Sequence, residues 1–205
     1  MFIKVCGITR EEDAHRAIVC GAAALGFIFY AKSPRFIAPE AARKIIDLLP
    51  DEIKRVGVFV NGSRDELTEV TRIAGIDTLQ LHGEEAPEII SQINAPVIKS
   101  VNLRTEADLI SARRYQHAWA LLVEGTDDNR RGGTGTLANW ELAQRLTLQH
   151  PRVILSGGIT PDNRSQAERE VAPYGLDLSS GIESAPGIKD FEKMKKFFLM
   201  RGRTL

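Results

Sequence analysis

Cysteine is scarce in this 205-residue chain: Cys6 and Cys20 are its two, and they form no CxxC pair. A disulfide framework and a cysteine zinc site are therefore excluded, and a reducing cytoplasm is the expected location. No run of 18 or more apolar residues occurs, which excludes a membrane-spanning helix. The opening Met-Phe-Ile-Lys-Val-Cys-Gly lacks a basic segment followed by an apolar stretch and a cleavage site, and is not read as a signal peptide. An excess of charge of one sign is missing as well. Lys and Arg number 27 and Asp and Glu number 27, so counterion release gives no drive toward a nucleic acid. HxH, HExxH and Asp-rich spacings are absent, so no metal is expected. No GxGxxG follows a strand pattern, which disfavours a dinucleotide cofactor. With no low-complexity tract or long linker, a single domain over residues 1–205 is expected.

What the chain does contain is a series of short, nearly continuous apolar runs. They predict strands at 3–6, 24–28, 56–60, 78–81, 97–100, 119–123, 152–155 and 175–178. Unbroken apolar strands are buried on both faces, as in a parallel sheet covered by helices. Helix patterns fall between them, at 11–20, from Pro39, around Leu67, Val70 and Ala74, at 86–93, 105–114, 140–149 and 163–171, and from Phe191. The helix after Asn163 shows little apolar face. Strand and helix alternate at roughly 25 residues per unit, which fits short connections. Eight such units predict an α/β fold, a single-domain (β/α)8 TIM barrel with few insertions, with an open doubly wound sheet as the alternative.

In such a barrel, functional groups gather at the C-terminal ends of the strands. Gly157-Gly158 and Ser179-Ser180-Gly181 end strands seven and eight. They are either tight turns or a cradle of backbone N–H groups for a phosphate. Cys6 is either a small buried apolar residue or a thiolate base or nucleophile. Glu124 is a rim salt-bridge partner or a general acid. Arg35 could grip a carboxylate or phosphate, or pair at the surface. His82 could bond a substrate hydroxyl or its barrel neighbours. Asp177 could orient substrate or cap a backbone N–H. Asp127 and Asp128 lie in a polar loop. Cys20, His15, His117 and His150 carry no functional signal.

The same rim segments resemble those of the phosphoribosylanthranilate isomerase family. They are Lys4-Val-Cys-Gly-Ile-Thr9, Gly26-Phe-Ile-Phe-Tyr30 with Ser33-Pro-Arg-Phe36, and Val56-Gly-Val-Phe-Val-Asn61. Leu79-Gln-Leu-His-Gly83, Gly132-Gly-Thr-Gly135 with Trp140, Leu155-Ser-Gly-Gly158 and Asp177-Leu-Ser-Ser-Gly181 with Pro186-Gly187 follow in order. The resemblance implies a cofactor-free Amadori rearrangement of N-(5-phosphoribosyl)anthranilate to 1-(2-carboxyphenylamino)-1-deoxyribulose 5-phosphate. It implies a phosphosugar as the small-molecule partner and a monomer or homodimer. It further implies Cys6 as general base, Arg35 as the contact to the anthranilate end, and His82 and Asp177 as substrate-binding residues. Gly157, Gly158, Ser179, Ser180 and Gly181 would bind the phosphate. The family usually carries Asp as general acid at the end of strand six. Glu124 stands there in this chain, longer by one methylene, about 1.5 Å, with Asp127 as the reserve candidate. Other phosphosugar barrels and a non-catalytic phosphate-binding module are the alternatives. The former expect a strand-one aspartate or a catalytic lysine, and the latter has no use for Cys6 and Glu124.

Overall fold

The structure, a computed structural model, describes residues 1–125 and 138–199. At its centre eight parallel strands follow one another in chain order: β1 (Phe2–Cys6), β2 (Ala24–Ile28), β3 (Lys54–Phe59), β4 (Thr78–Leu81), β5 (Val97–Asn102), β6 (Ala120–Glu124), β7 (Val153–Leu155) and β8 (Gly175–Leu178). β1 pairs with both β2 and β8, so the sheet closes on itself. The (β/α)8 barrel is the observed fold, and the open doubly wound alternative is overturned by that last pairing.

Side chains alternate between two apolar environments, which is why the strands read as continuous runs. On β1, Ile3 and Val5 join the layer under the helices. Phe2, Lys4 and Cys6 take the other face, toward the lumen. A plug of Ala24, Val56, Ile98, Ala120, Leu122 and Ile154, all fully buried, fills the lumen. Losing the side chain of a residue such as Leu122 would cost about 2–5 kcal/mol. The lumen above that plug is polar, and the candidate site lies there.

The outer ring comprises α1 (Glu11–Cys20), α2 (Pro39–Ile46), α3 (Arg64–Ala74), α4 (Glu106–Ala112), α5 (Trp140–Thr147), α6 (Arg164–Val171) and α7 (Phe191–Leu199). Their starts follow local chemistry. Pro39 opens α2, the Ser63 side chain accepts from the N–H of Glu66 ahead of α3, and Thr105 with Asp108 forms a reciprocal capping box on α4.

Two helix expectations need correction. The helix expected over 86–93 is a 3₁₀ segment, Pro87–Gln92. Ala86 and Ile93 on either side are both extended, so few residues remain for α-turns, and two of them, Ile89 and Ile90, are β-branched. The helix expected over 105–114 is α4 followed by a 3₁₀ turn, Arg113–Tyr115. The polar helix after Asn163 does form, and Arg164 supplies the burial its sequence lacks. Its guanidinium lies 4.5 Å from the Phe197 ring centroid, donates to the Phe197 carbonyl at 2.6 Å and pairs with Glu168 at 2.7 Å. After β8 the chain makes a 3₁₀ turn, Ser180–Ile182, then an unanticipated antiparallel hairpin, β9 (Glu183–Ala185) with β10 (Ile188–Lys189). α7 then packs beside α1.

Candidate active site

β1 brings two functional groups to the lumen, two residues apart. Lys4 is fully buried, and its Nζ donates to Asp177 Oδ1 at 2.9 Å. The two residues are direct partners in the β1–β8 register. Burial works against the ammonium, but the attraction of Asp177 and of Cys6 prevails and holds the Lys4 pKa above its ordinary value. Cys6 ends the strand, buried at the same mouth. Burial pushes its thiol up. Lys4 and Lys189 pull it down without overcoming that push, while Asp177 adds to it.

β4 presents Gln80 to the same side, with His82 two residues on, just past the strand's end. Gln80 Nε2 lies 2.9 Å from His82 Nδ1, and His82 Nε2 lies 2.7 Å from Glu124 Oε2. Glu124 is the last residue of β6. A Gln80 amide that donates to Nδ1 goes with the tautomer whose Nε2–H points at the carboxylate. Gln80 Oε1 is buried and has no hydrogen-bond partner among the described residues.

Arg35 is largely committed to protein. Its Nε reaches Glu183 Oε1 at 2.9 Å and Oε2 at 3.1 Å, and its Nη2 reaches Oε2 at 2.7 Å. Lys189 joins this group, 2.7 Å from Glu183 Oε1 and 2.6 Å from the Cys6 carbonyl. Burial pushes the Glu183 carboxyl up, but hydrogen bonding to Arg35 and the charge of Lys189 bring it below its ordinary value. Burial pushes Lys189 down, and Glu183 and Cys6 only partly offset this. The hairpin thus clamps the end of β1 to the loop that carries Arg35. Arg35 still acts electrostatically with both Cys6 and Glu124.

The two proposed phosphate loops meet. Gly157 and Gly158 adopt left-handed backbone, φ 78° and 63°, a conformation that glycine takes without cost. Gly181 approaches so closely that a β-carbon there would lie 1.9 Å from the Ile159 carbonyl oxygen. Asn163 fixes the turn between them, accepting from the Thr160 N–H at 2.9 Å and donating to the Gly158 carbonyl at 2.8 Å. Ser179 and Ser180 lead into the 3₁₀ turn beside it.

Cys6, Arg35, His82, Glu124 and Asp177 thus meet at one end of the barrel, beside the Gly157–Gly158 and Ser179–Gly181 loops. Asp127, Asp128 and the 132–135 motif lie outside the described residues. His15 and His117 are exposed, and His150 bonds backbone carbonyls of Ala118 and Arg152. Sequence reasoning missed Lys4, Gln80, Asn163, Glu183 and Lys189. A lysine inside an apolar strand, two residues before Cys6, was the available signal for Lys4. Nothing local marks Glu183 and Lys189, whose roles come from contacts with the far end of the chain. Among the described residues, no cluster of His, Cys, Asp and Glu could hold a metal ion, and no helix is long and apolar enough to cross a membrane.

Residues 3–199 match the family model described as N-(5'-phosphoribosyl)anthranilate (PRA) isomerase. A curated relative of that name from Syntrophus aciditrophicus is 46% identical over 194 residues, covering 94% of this chain and 84% of the relative. The crystal structure of phosphoribosyl anthranilate isomerase from Thermus thermophilus superposes with a TM-score of 0.89 at 42% identity, covering 97% of each chain. Another solved enzyme of this kind was determined in complex with reduced 1-(o-carboxyphenylamino)-1-deoxyribulose 5-phosphate. It matches with a TM-score of 0.87 at 36% identity over 97% of this chain and 96% of its own.

Proposed function

The chain belongs to the N-(5'-phosphoribosyl)anthranilate isomerase family, and from that premise we propose how its residues carry out the reaction. The protein is an isomerase of tryptophan biosynthesis. It converts N-(5-phosphoribosyl)anthranilate to 1-(2-carboxyphenylamino)-1-deoxyribulose 5-phosphate. Chemically this needs one acid and one base on a ribose held in register by its phosphate.

Glu124 is the acid. It protonates the furanose ring oxygen, the bond from that oxygen to C1 breaks, and the nitrogen lone pair closes an iminium. The neighbours of Glu124 accommodate its protonated form. If Glu124 donates to His82 Nε2, the ring proton moves to Nδ1 and a turned Gln80 amide accepts it. The otherwise unpartnered Oε1 then gains a donor. Cys6 is the base. Its thiolate removes the C2 proton, and the C–H electrons form the C1–C2 double bond while the iminium nitrogen recovers its pair. The resulting enol gains a proton at C1 and loses one from the C2 oxygen, leaving the ketone. Burial holds the free Cys6 thiol above its ordinary pKa, so kcat/KM should rise with pH toward the alkaline side.

We assign the phosphate to the loops of Gly157, Gly158, Ser179, Ser180 and Gly181. The anthranilate carboxylate goes to the side of Arg35 not taken by Glu183. The reaction is placed in the cytoplasm, without a cofactor, on a monomer or homodimer.

The observation that carries the assignment is the convergence of Cys6, the last residue of β1, and Glu124, the last residue of β6 and bonded to His82, on one mouth. The test is the fluorescence loss of freshly made phosphoribosylanthranilate. Cys6→Ser and Glu124→Gln should each lower kcat by about 10²–10⁴-fold with little change in KM. Near-normal kcat in either variant rejects that residue's role.

A further inference from the structure

Lys4 is a buried charge that the proposed mechanism leaves without a task. It is the register partner of Ala24, a member of the inner plug, which consists of Ala, Val, Ile and Leu. A fully buried ion pair is a poor way to fill such a space, because desolvation consumes most of the attraction. Apolar residues of similar volume would serve stability as well or better. The position of Lys4 relative to Cys6 is more informative. Both project from the lumen face of β1 into a hollow left by the missing side chain of Gly26. A β-carbon on Gly26 would lie 2.7 Å from Cys6 Sγ and 3.1 Å from Lys4 Cε. Asp177 pins the ammonium from the opposite side at 2.9 Å.

We propose that Lys4, fixed by Asp177, is the counter-ion of the Cys6 thiolate and so a positioning residue for proton abstraction. The inference rests on the reading of Cys6 as the base. When the thiolate takes the C2 proton its negative charge disappears together with the positive charge of the iminium. Lys4 keeps its proton throughout and stabilises the state that precedes transfer, while the ionised Asp177 holds it in place. The charged groups bearing on the thiol come from four elements. Lys4 on β1 and Lys189 on β10 favour the thiolate, Asp177 on β8 opposes it, and Arg35 in the loop after β2 is drawn to it. β2 itself contributes the uncharged Gly26.

The experiment titrates the thiol directly. In a Cys20→Ser background, Cys6 is the one cysteine, and its alkylation rate by iodoacetamide as a function of pH reports its ionisation. Lys4→Met should move that midpoint up by about one pH unit or more, whereas Asp177→Asn should move it down. Lys4→Arg should recover much of the parent value. Steady-state assays of Lys4→Met should show lower kcat with KM nearly unchanged.

Should Lys4→Met fail to fold around an orphaned Asp177, the paired variant Lys4→Met with Asp177→Leu removes both charges and leaves none unpaired. Its midpoint should still rise, because Lys4 shares the Gly26 hollow with the thiol on the β2 side, whereas Asp177 reaches the ammonium from β8 on the other side. A midpoint unchanged in the lysine variants, or raised by Asp177→Asn, overturns the proposal. Full turnover by Cys6→Ser would instead overturn the base assignment, and the alkylation result would stand apart from it.

Discussion

Nε2 of His82 stands 2.7 Å from Oε2 of Glu124, joining β4 and β6 across the intervening β5. This contact sets the reach of the proposed acid, and it suits a glutamate. Glu124→Asp would withdraw the carboxyl by about 1.5 Å, breaking the bond to His82. We expect kcat to fall about tenfold or more, with KM moving less. His82→Ala should fall at least as far, and Gln80→Leu should fall less in the same direction. Steady-state fluorescence kinetics check all three, and a Glu124→Asp enzyme as fast as the parent would show that the His82 contact is dispensable.

Gly181→Ala tests the junction of the proposed phosphate loops. The added methyl cannot be accommodated 1.9 Å from a carbonyl oxygen, so one loop must move. The phosphate grips substrate away from the reacting carbons, and the expected result is a KM raised about tenfold or more, with inorganic phosphate inhibiting less strongly than it does the parent. Unchanged KM and inhibition would remove these loops from phosphate binding.

Acid should weaken the fold through Glu85 and Glu183. Burial pushes Glu85 up, but Lys99 at 2.9 Å and the backbone N–H groups of Asn61 and of Glu85 itself hold its pKa below the ordinary value. Both carboxyls are depressed in the folded state. Their stabilisation is therefore complete above the ordinary glutamate range and is lost as pH falls through the depressed values, where the unfolded chain binds more protons. Urea midpoints measured across that range should decline toward acid. Glu85→Gln should cost about 3 kcal/mol at neutral pH, because it strands the Lys99 ammonium, and should flatten the decline.

Arg164→Ala addresses the polar helix. It removes the stem that covers the Phe197 ring and leaves the Phe197 carbonyl without its 2.6 Å donor. A loss of about 2–3 kcal/mol in urea denaturation is expected. An unchanged midpoint would mean that α6 is held by Ala167 and Val171 alone.

The barrel was legible because each strand is buried on two sides, which leaves an unbroken apolar run such as Ala120-Leu-Leu-Val123. Ends were less legible. β3 stops at Phe59 instead of Val60, since Asn61 turns into left-handed backbone at φ 53°. The 3₁₀ segment at Pro87–Gln92 escaped because an apolar pattern cannot distinguish a tight turn from a short α-helix. At the site, residues at strand ends stood out as polar interruptions: Cys6, His82, Glu124 and Asp177. Lys4 did not, because its significance lies in its register partner 173 positions away. The β9–β10 hairpin had no periodic signal. Its geometry comes from Lys189, whose ammonium ties to the carbonyl of Cys6 and whose N–H donates to Asp13.

The Lys4–Asp177 pairing lies on the seam where the first strand meets the last. A growing polypeptide therefore carries the Cys6 sulfur long before Asp177 has been synthesised. No truncated product that stops short of the eighth strand can assemble the charge arrangement around that sulfur. Ring closure, a contact of very large sequence separation and correspondingly slow to form, becomes the event that completes that arrangement.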